Sequence, residues 1–184
     1  VAKKFLTLII DCSGSMGGIA PTIDAAIKDM LREMQKDKAN DYWIEVTQLG
    51  YGRPYELTMF SGTPTEILGR GRMPLVFGSG GTPLFDGIYE TLNTVADPVG
   101  LGATATCVLI SDGAGSEYRH TWKEAAEIIK DKVAIGWRFE YAAVDHSATY
   151  QCAELNKLTG KNVLVDLTRF ANIEPYFQKL PARL

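Results

Sequence analysis

Two stretches constrain this chain more than anything else in it: Phe5-Leu6-Thr7-Leu8-Ile9-Ile10 and Ala105 to Ile110, both almost unbroken in apolar character. A strand with one wet face alternates apolar and polar residues. A strand that is apolar throughout must be covered on both faces, which is the condition of a central strand in a parallel sheet packed between helices. Each run stops at a polar, aspartate-bearing segment, Asp11 after the first and Ser111-Asp112 after the second. Phe5 to Ile10 follows Lys3 and Lys4, the outline of a signal peptide. It is too short for one, has no small-residue cleavage site, and ends on a carboxylate. A buried strand is the better reading.

Helical patterns separate the strands. Ile23, Ile27, Met30, Leu31 and Met34 recur at helical spacing, while Lys28, Asp29, Arg32, Glu33 and Lys36 fill the other face, as in a helix lying on a sheet. Trp43 to Leu49 and Tyr55 to Phe60 read as strands joined through a tight turn at Gly50-Tyr51-Gly52-Arg53-Pro54. Ser61 to Gly81 mixes short apolar pieces with glycine and proline and receives no assignment. Helices are expected over Pro83 to Val95, Tyr118 to Lys132 (inner face Trp122, Ala125, Ala126, Ile128 and Ile129), Ala148 to Leu158 and Leu167 to Leu180. Strands are expected over Trp137 to Val144 and Val163 to Val165. The expected architecture is a three-layer, doubly wound α/β domain spanning 1–184. Its sheet is mostly parallel with one antiparallel edge strand, and helices cover both faces.

In such open sheets ligands sit beyond the carboxyl ends of the strands, where strand order reverses. The segments after the strands are therefore the informative ones. Asp11-Cys12-Ser13-Gly14-Ser15-Met16-Gly17-Gly18 offers one carboxylate and two hydroxyls at alternate positions. Ser111-Asp112-Gly113 offers a second carboxylate at the same edge, and Gly80-Gly81-Thr82-Pro83 places a hydroxyl at a helix entrance. All these donors are oxygens. That donor set favours a hard cation, Mg²⁺ first, with Mn²⁺ or Ca²⁺ as alternatives, over zinc or copper.

Asp11-x-Ser13-x-Ser15, the threonine of Gly-Gly-Thr-Pro and Asp112 followed by glycine together resemble the three parts of a metal-ion-dependent adhesion site. That site marks von Willebrand factor A and integrin I-type domains. The resemblance covers Phe5 to Val165, with the motifs in the family's order. It implies that Ser13, Ser15 and Thr82 touch a metal directly, and that Asp11 and Asp112 act directly or through water. It also implies that a partner protein's aspartate or glutamate completes the coordination. Gly-Gly-Thr-Pro-Leu-Phe-Asp-Gly and Trp137-Arg138-Phe139-Glu140-Tyr141 are most similar to bacterial and phage intracellular members, which implies an assembly or scaffold role in the cytoplasm.

Composition narrows the alternatives. With 184 residues the chain can bury a sizeable core. A net charge of -3 provides no basic field for nucleic acid or anionic membrane. No run approaches the roughly 20 apolar residues of a membrane span. Cys12, Cys107 and Cys152 are odd in number and widely spaced, so they read as small buried hydrophobes in a reducing compartment.

Taken singly, Asp11, Ser13 and Ser15 are also ordinary turn residues, and Asp24 and Asp86 suit the starts of helices. His120 reads as a solvated residue of a first helical turn, and Asp145-His146 as the rim of the site. Gly78, Gly80 and Gly81 match no phosphate-binding pattern, and Gly69-Arg70-Gly71-Arg72 reads as a solvated basic loop. A Mg²⁺-dependent phosphohydrolase of the haloacid dehalogenase type is the rival reading. It requires a second carboxylate two residues after the first, where this chain has Ser13, so no enzyme activity is expected. A structural subunit of a phage or bacterial assembly, with a dispensable metal site, is the other alternative. The oligomeric state is open.

Overall fold

The two apolar runs lie side by side at the centre of one sheet. In the computed structural model, which describes residues 1–50, 57–69, 78, 80–113 and 115–184, they form β1 (Ala2–Asp11) and β4 (Thr104–Ser111). The other strands are β2 (Asn40–Leu49), β3 (Leu57–Gly62), β5 (Arg138–Ala143) and β6 (Leu164–Asp166), in the order β3-β2-β1-β4-β5-β6. All pairings are parallel except the antiparallel β2–β3 edge. The β2–β3 pairing is the antiparallel edge read from the sequence. The expected turn at 51–54 and the start of the Tyr55 to Phe60 strand lie outside the described residues.

The chain leaves β1 toward β2 on one side and returns to β4 on the other, so strand order reverses between β1 and β4. Ile10 pairs with Ile110, which brings Asp11 and Ser111 to the carboxyl edge together at this switch point.

Side chains of the central strand alternate between two cores, as the two-residue period requires. Leu6, Leu8 and Ile10 pack under α1 (Ala20–Lys36), α2 (Pro64–Gly69) and α6 (Phe170–Arg183). Phe5 and Ile9 pack under α3 (Leu84–Thr94), α4 (Trp122–Ala134) and α5 (Thr149–Thr159). In α1, Ile23, Ile27, Met30, Leu31 and Met34 are all buried, the face read from their spacing. Gly87 lets α3 approach closely, because a Cβ there would meet Leu49 Cδ2 at 2.7 Å. Cys12, Cys107 and Cys152 are free and buried. No helix among the described residues is long and apolar enough to cross a membrane.

Four readings change. The unassigned stretch holds α2, opened by reciprocal hydrogen bonds between Thr63 and Glu66: Glu66 N–H donates to Thr63 Oγ1 (3.3 Å) and Thr63 N–H to Glu66 Oε2 (2.8 Å). The fourth helix begins at Trp122 and not at Tyr118, because Thr121 and Glu124 form the same kind of capping box. The segment before it is held instead by buried Asp86, whose carboxylate accepts the N–H groups of Arg119 (3.1 Å) and His120 (2.7 Å). His120 is consequently no solvated helix residue. Its side chain is 18% exposed, stacks on Tyr89 at 3.9 Å between ring centroids, and meets Glu90 Oε1 at 3.1 Å. Asp24 lies beyond the first turn of α1 and pairs with Lys28 at 2.7 Å, so its role is an ion pair and not a dipole contact.

Candidate metal centre

The site is assembled by what happens where strands end. Beyond β1 the chain turns at once. Asp11 Oδ1 accepts the N–H of Ser13 at 2.9 Å, an ordinary aspartate turn that engages one carboxylate oxygen. Asp11 Oδ2 takes a different partner, accepting from Ser111 Oγ of the neighbouring strand at 2.8 Å. The turn runs on into a 3-10 helix over Gly14–Gly18.

Three hydroxyls meet above it. Ser13 Oγ lies 3.3 Å from Ser15 Oγ, and Thr82 Oγ1 lies 3.3 Å from Ser13 Oγ. Hydroxyl hydrogen bonds are typically about 2.7–2.8 Å, so these oxygens gather as neighbours more than as strong mutual partners. Adjacent oxygens around an octahedral cation stand about 3.0 Å apart for Mg²⁺–O near 2.1 Å, and about 3.4 Å for Ca²⁺–O near 2.4 Å. The observed spacing falls within that span, so the donor set fits a hard divalent ion.

Backbone contacts lock the contributing loops to one another. Cys12 N–H donates to Leu49 O (2.7 Å) and Gly78 N–H to Cys12 O (3.0 Å). Ser116 N–H donates to Thr82 O (2.9 Å), and Ser147 Oγ donates to Asp112 O (2.6 Å). Gly50 fits this corner for two reasons: its φ is +75°, and a Cβ there would run into the Gly81 carbonyl and lie 3.3 Å from Ser13 Cβ.

Asp11 and Ser13 are buried, Thr82 and Asp112 are partly buried, and Ser15 is exposed. Burial pushes the Asp11 carboxyl above its ordinary value. Hydrogen bonds from Ser13 and Ser111 counter that, and the nearby charge of Asp112 adds to it. Two carboxylates close enough to repel, set among neutral oxygens, form an environment that a cation relieves. Among the described residues no group of three or more His, Cys, Asp or Glu side chains is placed to hold a metal. The candidate centre has two carboxylates and draws its other donors from hydroxyls.

All five residues singled out in the sequence therefore lie at one edge, with the Ser13, Ser15 and Thr82 hydroxyls in contact and Asp11 within electrostatic reach of Asp112. Asp145-His146 borders them through its neighbour: Asp145 Oδ1 accepts Ser147 N–H at 2.8 Å, and Ser147 holds the Asp112 carbonyl. Ser111, Ser147 and Gly50 were not singled out for roles at the site. The strand-end position of Ser111 was a usable signal. Ser147 and Gly50 carried none that separates them from ordinary loop residues.

Neither a protein-family model nor a curated protein matches the sequence. Solved structures do match the fold. The pilus adhesin SpaC from Lactobacillus rhamnosus GG superposes with a TM-score of 0.78 at 14% identity, covering 100% of this chain and 30% of its own. Proximal thread matrix protein 1 from the mussel byssus, in a structure with a zinc-occupied MIDAS motif, gives 0.68 at 14% identity, covering 97% and 47%. A von Willebrand factor type A protein from Catenulispora acidiphila gives 0.59 at 16% identity, covering 99% and 42%. This chain thus spans less than half the length of each of these proteins, and at such identities the likeness is one of fold.

Proposed function

We propose that this chain, which has the fold of the von Willebrand factor A domain, is a binding module over its whole length, 1–184. In this reading Asp11, Ser13, Ser15, Thr82 and Asp112 hold a divalent cation through which the module grips a protein partner. The observation that carries it is the gathering of three hydroxyls at 3.3 Å spacings beside two carboxylates, at the point where strand order reverses.

The bound ion supplies a positive centre for a carboxylate ligand. The chain's own residues do the rest. Ser13, Ser15 and Thr82 donate neutral oxygens, and Asp11 and Asp112 balance a double positive charge without exceeding it. Asp11, Ser13, Ser15, Thr82 and Asp112 would hold the ion, the aspartates directly or through water, and would leave room for an aspartate or glutamate of a partner to complete the coordination. Such a charge-assisted contact in a partly dry site anchors an interface and makes it specific for acidic partners.

Mg²⁺ is the preferred occupant on donor chemistry. The zinc reported for the mussel protein makes Zn²⁺ a necessary arm of the test. Catalysis forms no part of this reading, since Ser13 stands where a phosphohydrolase of the rival type needs its acid. Three free, buried thiols support a reducing, cytoplasmic setting, and an acidic chain supports a protein partner over nucleic acid or membrane.

The test is calorimetric titration of the full chain with Mg²⁺, Mn²⁺ and Zn²⁺, beside Asp112→Ala, followed by partner capture from the native lysate in Mg²⁺ or chelator. Binding of Mg²⁺ or Mn²⁺ by wild type alone, and a partner retained only with metal, would establish the reading. No uptake at millimolar metal would end it. Turnover of a generic phosphate ester, abolished by Asp11→Asn, would replace it with the hydrolase.

A further inference from the structure

Behind the candidate centre runs a line of buried polar groups that the ligand set does not explain. Tyr141 of β5 and Gln151 of α5 are 1% and 6% exposed. The Gln151 amide is satisfied on both sides in one orientation. Its oxygen then accepts the N–H of Gly115, and its nitrogen donates to the Gly113 carbonyl and the Tyr141 hydroxyl, both at 3.0 Å. Turned the other way, the oxygen would keep only the Tyr141 hydroxyl as a donor at 3.0 Å, while it faced the Gly113 carbonyl and the nitrogen faced the Gly115 N–H, like against like.

The clamped Gly113 is tied to the first strand's neighbour: its N–H donates to Ser111 Oγ at 3.3 Å. Ser111 Oγ donates in turn to Asp11 Oδ2 at 2.8 Å. Hydrogen bonds thus connect Gln151, through the peptide groups of Gly113 and through Ser111, to the Asp11 carboxylate. Gln151 also grips the backbone on the far side of Asp112 at Gly113 and Gly115. Gly115 is itself confined, since a Cβ there would lie 2.5 Å from Leu84 Cβ. One side chain of α5 therefore touches the supports of both carboxylates.

We propose that Gln151 and Tyr141 are positioning residues for the metal centre, with Gln151 clamping the loop that carries Asp112 and orienting Asp11 through Gly113 and Ser111, and Tyr141 holding the Gln151 amide in place. This rests on reading the five oxygens as a metal centre. Its physical basis is that fixed outer partners hold ligands in binding geometry before the ion arrives, and that losing them typically costs about 10–100-fold in metal affinity.

The test uses the full chain and two readouts: amide hydrogen exchange at Gly115 in metal-free protein, and Mn²⁺ affinity by calorimetry. Gln151→Met keeps the side chain's length and removes its hydrogen bonds. It is expected to lose protection at Gly115 and to bind Mn²⁺ about 10–100-fold more weakly. Tyr141→Phe should keep Gly115 protected and lose less than about tenfold in affinity. Phe177→Leu, a packing defect in the opposite helical layer, should lower stability and move neither readout.

If Gln151→Met does not fold, Gln151→Glu serves in its place. It retains an acceptor for Gly115 and loses the donor, so protection should persist while affinity falls. Unchanged exchange at Gly115 in Gln151→Met, or a Mn²⁺ affinity within about twofold of wild type despite lost protection, overturns the proposal. Should wild type take up no Mn²⁺, the metal reading fails and this proposal with it. Exchange at Gly115 would still report whether the clamp exists, so the two failures remain distinct.

Discussion

The two helical layers enclose the same sheet and differ in kind. Under α1 and α6 the core is aliphatic and aromatic, built from Leu6, Leu8, Ile10, Met30, Ile173 and Phe177. Its polar links lie toward the margin, where Asp37 holds Tyr42 and Glu140 holds Tyr176 and Arg183. Under α3, α4 and α5 directional bonds run through the interior: Thr47 to Thr91 at 2.7 Å, Asp86 to the backbone before α4, and Tyr141 with Gln151. The buried polar atoms without a hydrogen-bond partner among the described residues, Thr7 Oγ1, His120 Nδ1 and Trp137 Nε1, also belong to this side. Non-directional packing stabilises without fixing any atom to a tenth of an ångström. Hydrogen bonds do fix atoms, and they exact a penalty wherever one is left unmade. The first layer accordingly rests on packing, and the second adds to its own apolar core a set of directional bonds behind the candidate centre.

This division can be broken most forcefully in the first layer. Phe177→Ala deletes a fully buried ring of α6 and is expected to cost about 3–5 kcal/mol by urea unfolding, while the folded fraction keeps its Mn²⁺ affinity. A parallel fall in affinity would mean that the layers are not separable.

Next in size is Asp86→Ala in the second layer. It strands the N–H groups of Arg119 and His120 and should destabilise by about 2–3 kcal/mol, with faster exchange at those two amides.

Gly50→Ala should cost about 1–2 kcal/mol for its left-handed backbone and also weaken metal binding, since the added methyl presses on the Gly81 carbonyl beside Thr82. Stability lost without any change in affinity would confine Gly50 to a backbone role.

The smallest effect is at the margin of the first layer. Hydrogen bonds from Asn40, Tyr42 and Ala39 hold the Asp37 carboxyl down to about 2, from an ordinary value of 3.8. A depressed carboxylate stabilises the fold above its unfolded value, and that contribution disappears as pH falls through about 2. Asp37→Asn should therefore flatten the acid limb of the stability–pH curve below about pH 4. An unchanged limb would assign the acid sensitivity to other carboxylates.

Much of the first layer was legible in the residues, because helical spacing from Ile23 to Met34 and the unbroken run from Phe5 to Ile10 report burial directly. The candidate ligands were legible for a related reason: each follows a strand or opens a helix, and strand ends define the binding edge of such a sheet. The helix at Pro64–Gly69 and the late start at Trp122 were missed, although Thr63-Pro64-Thr65-Glu66 and Thr121-Trp122-Lys123-Glu124 both carry the capping signature. Apolar periodicity is weak in both stretches, and hydrogen-bond chemistry at the cap decides where each helix begins. The place of His120, ahead of α4, could not be read from its neighbours, because no local pattern announces stacking on Tyr89 or a bond to Glu90 of α3.

The residues alone report whatever depends on neighbours along the chain: which strands are central, which helical faces are inward, and which oxygens stand at strand ends. Tertiary structure alone decided which of those oxygens meet. The register of Ile10 against Ile110 brings Ser111 to Asp11, and α5 brings Gln151 to both Tyr141 and the loop beyond Asp112. These partners lie from 10 to 100 residues apart, and their hydrogen bonds depend on position to within a few tenths of an ångström. No period or motif encodes such a coincidence, because it exists only once the sheet has closed its register and the helices have packed upon it.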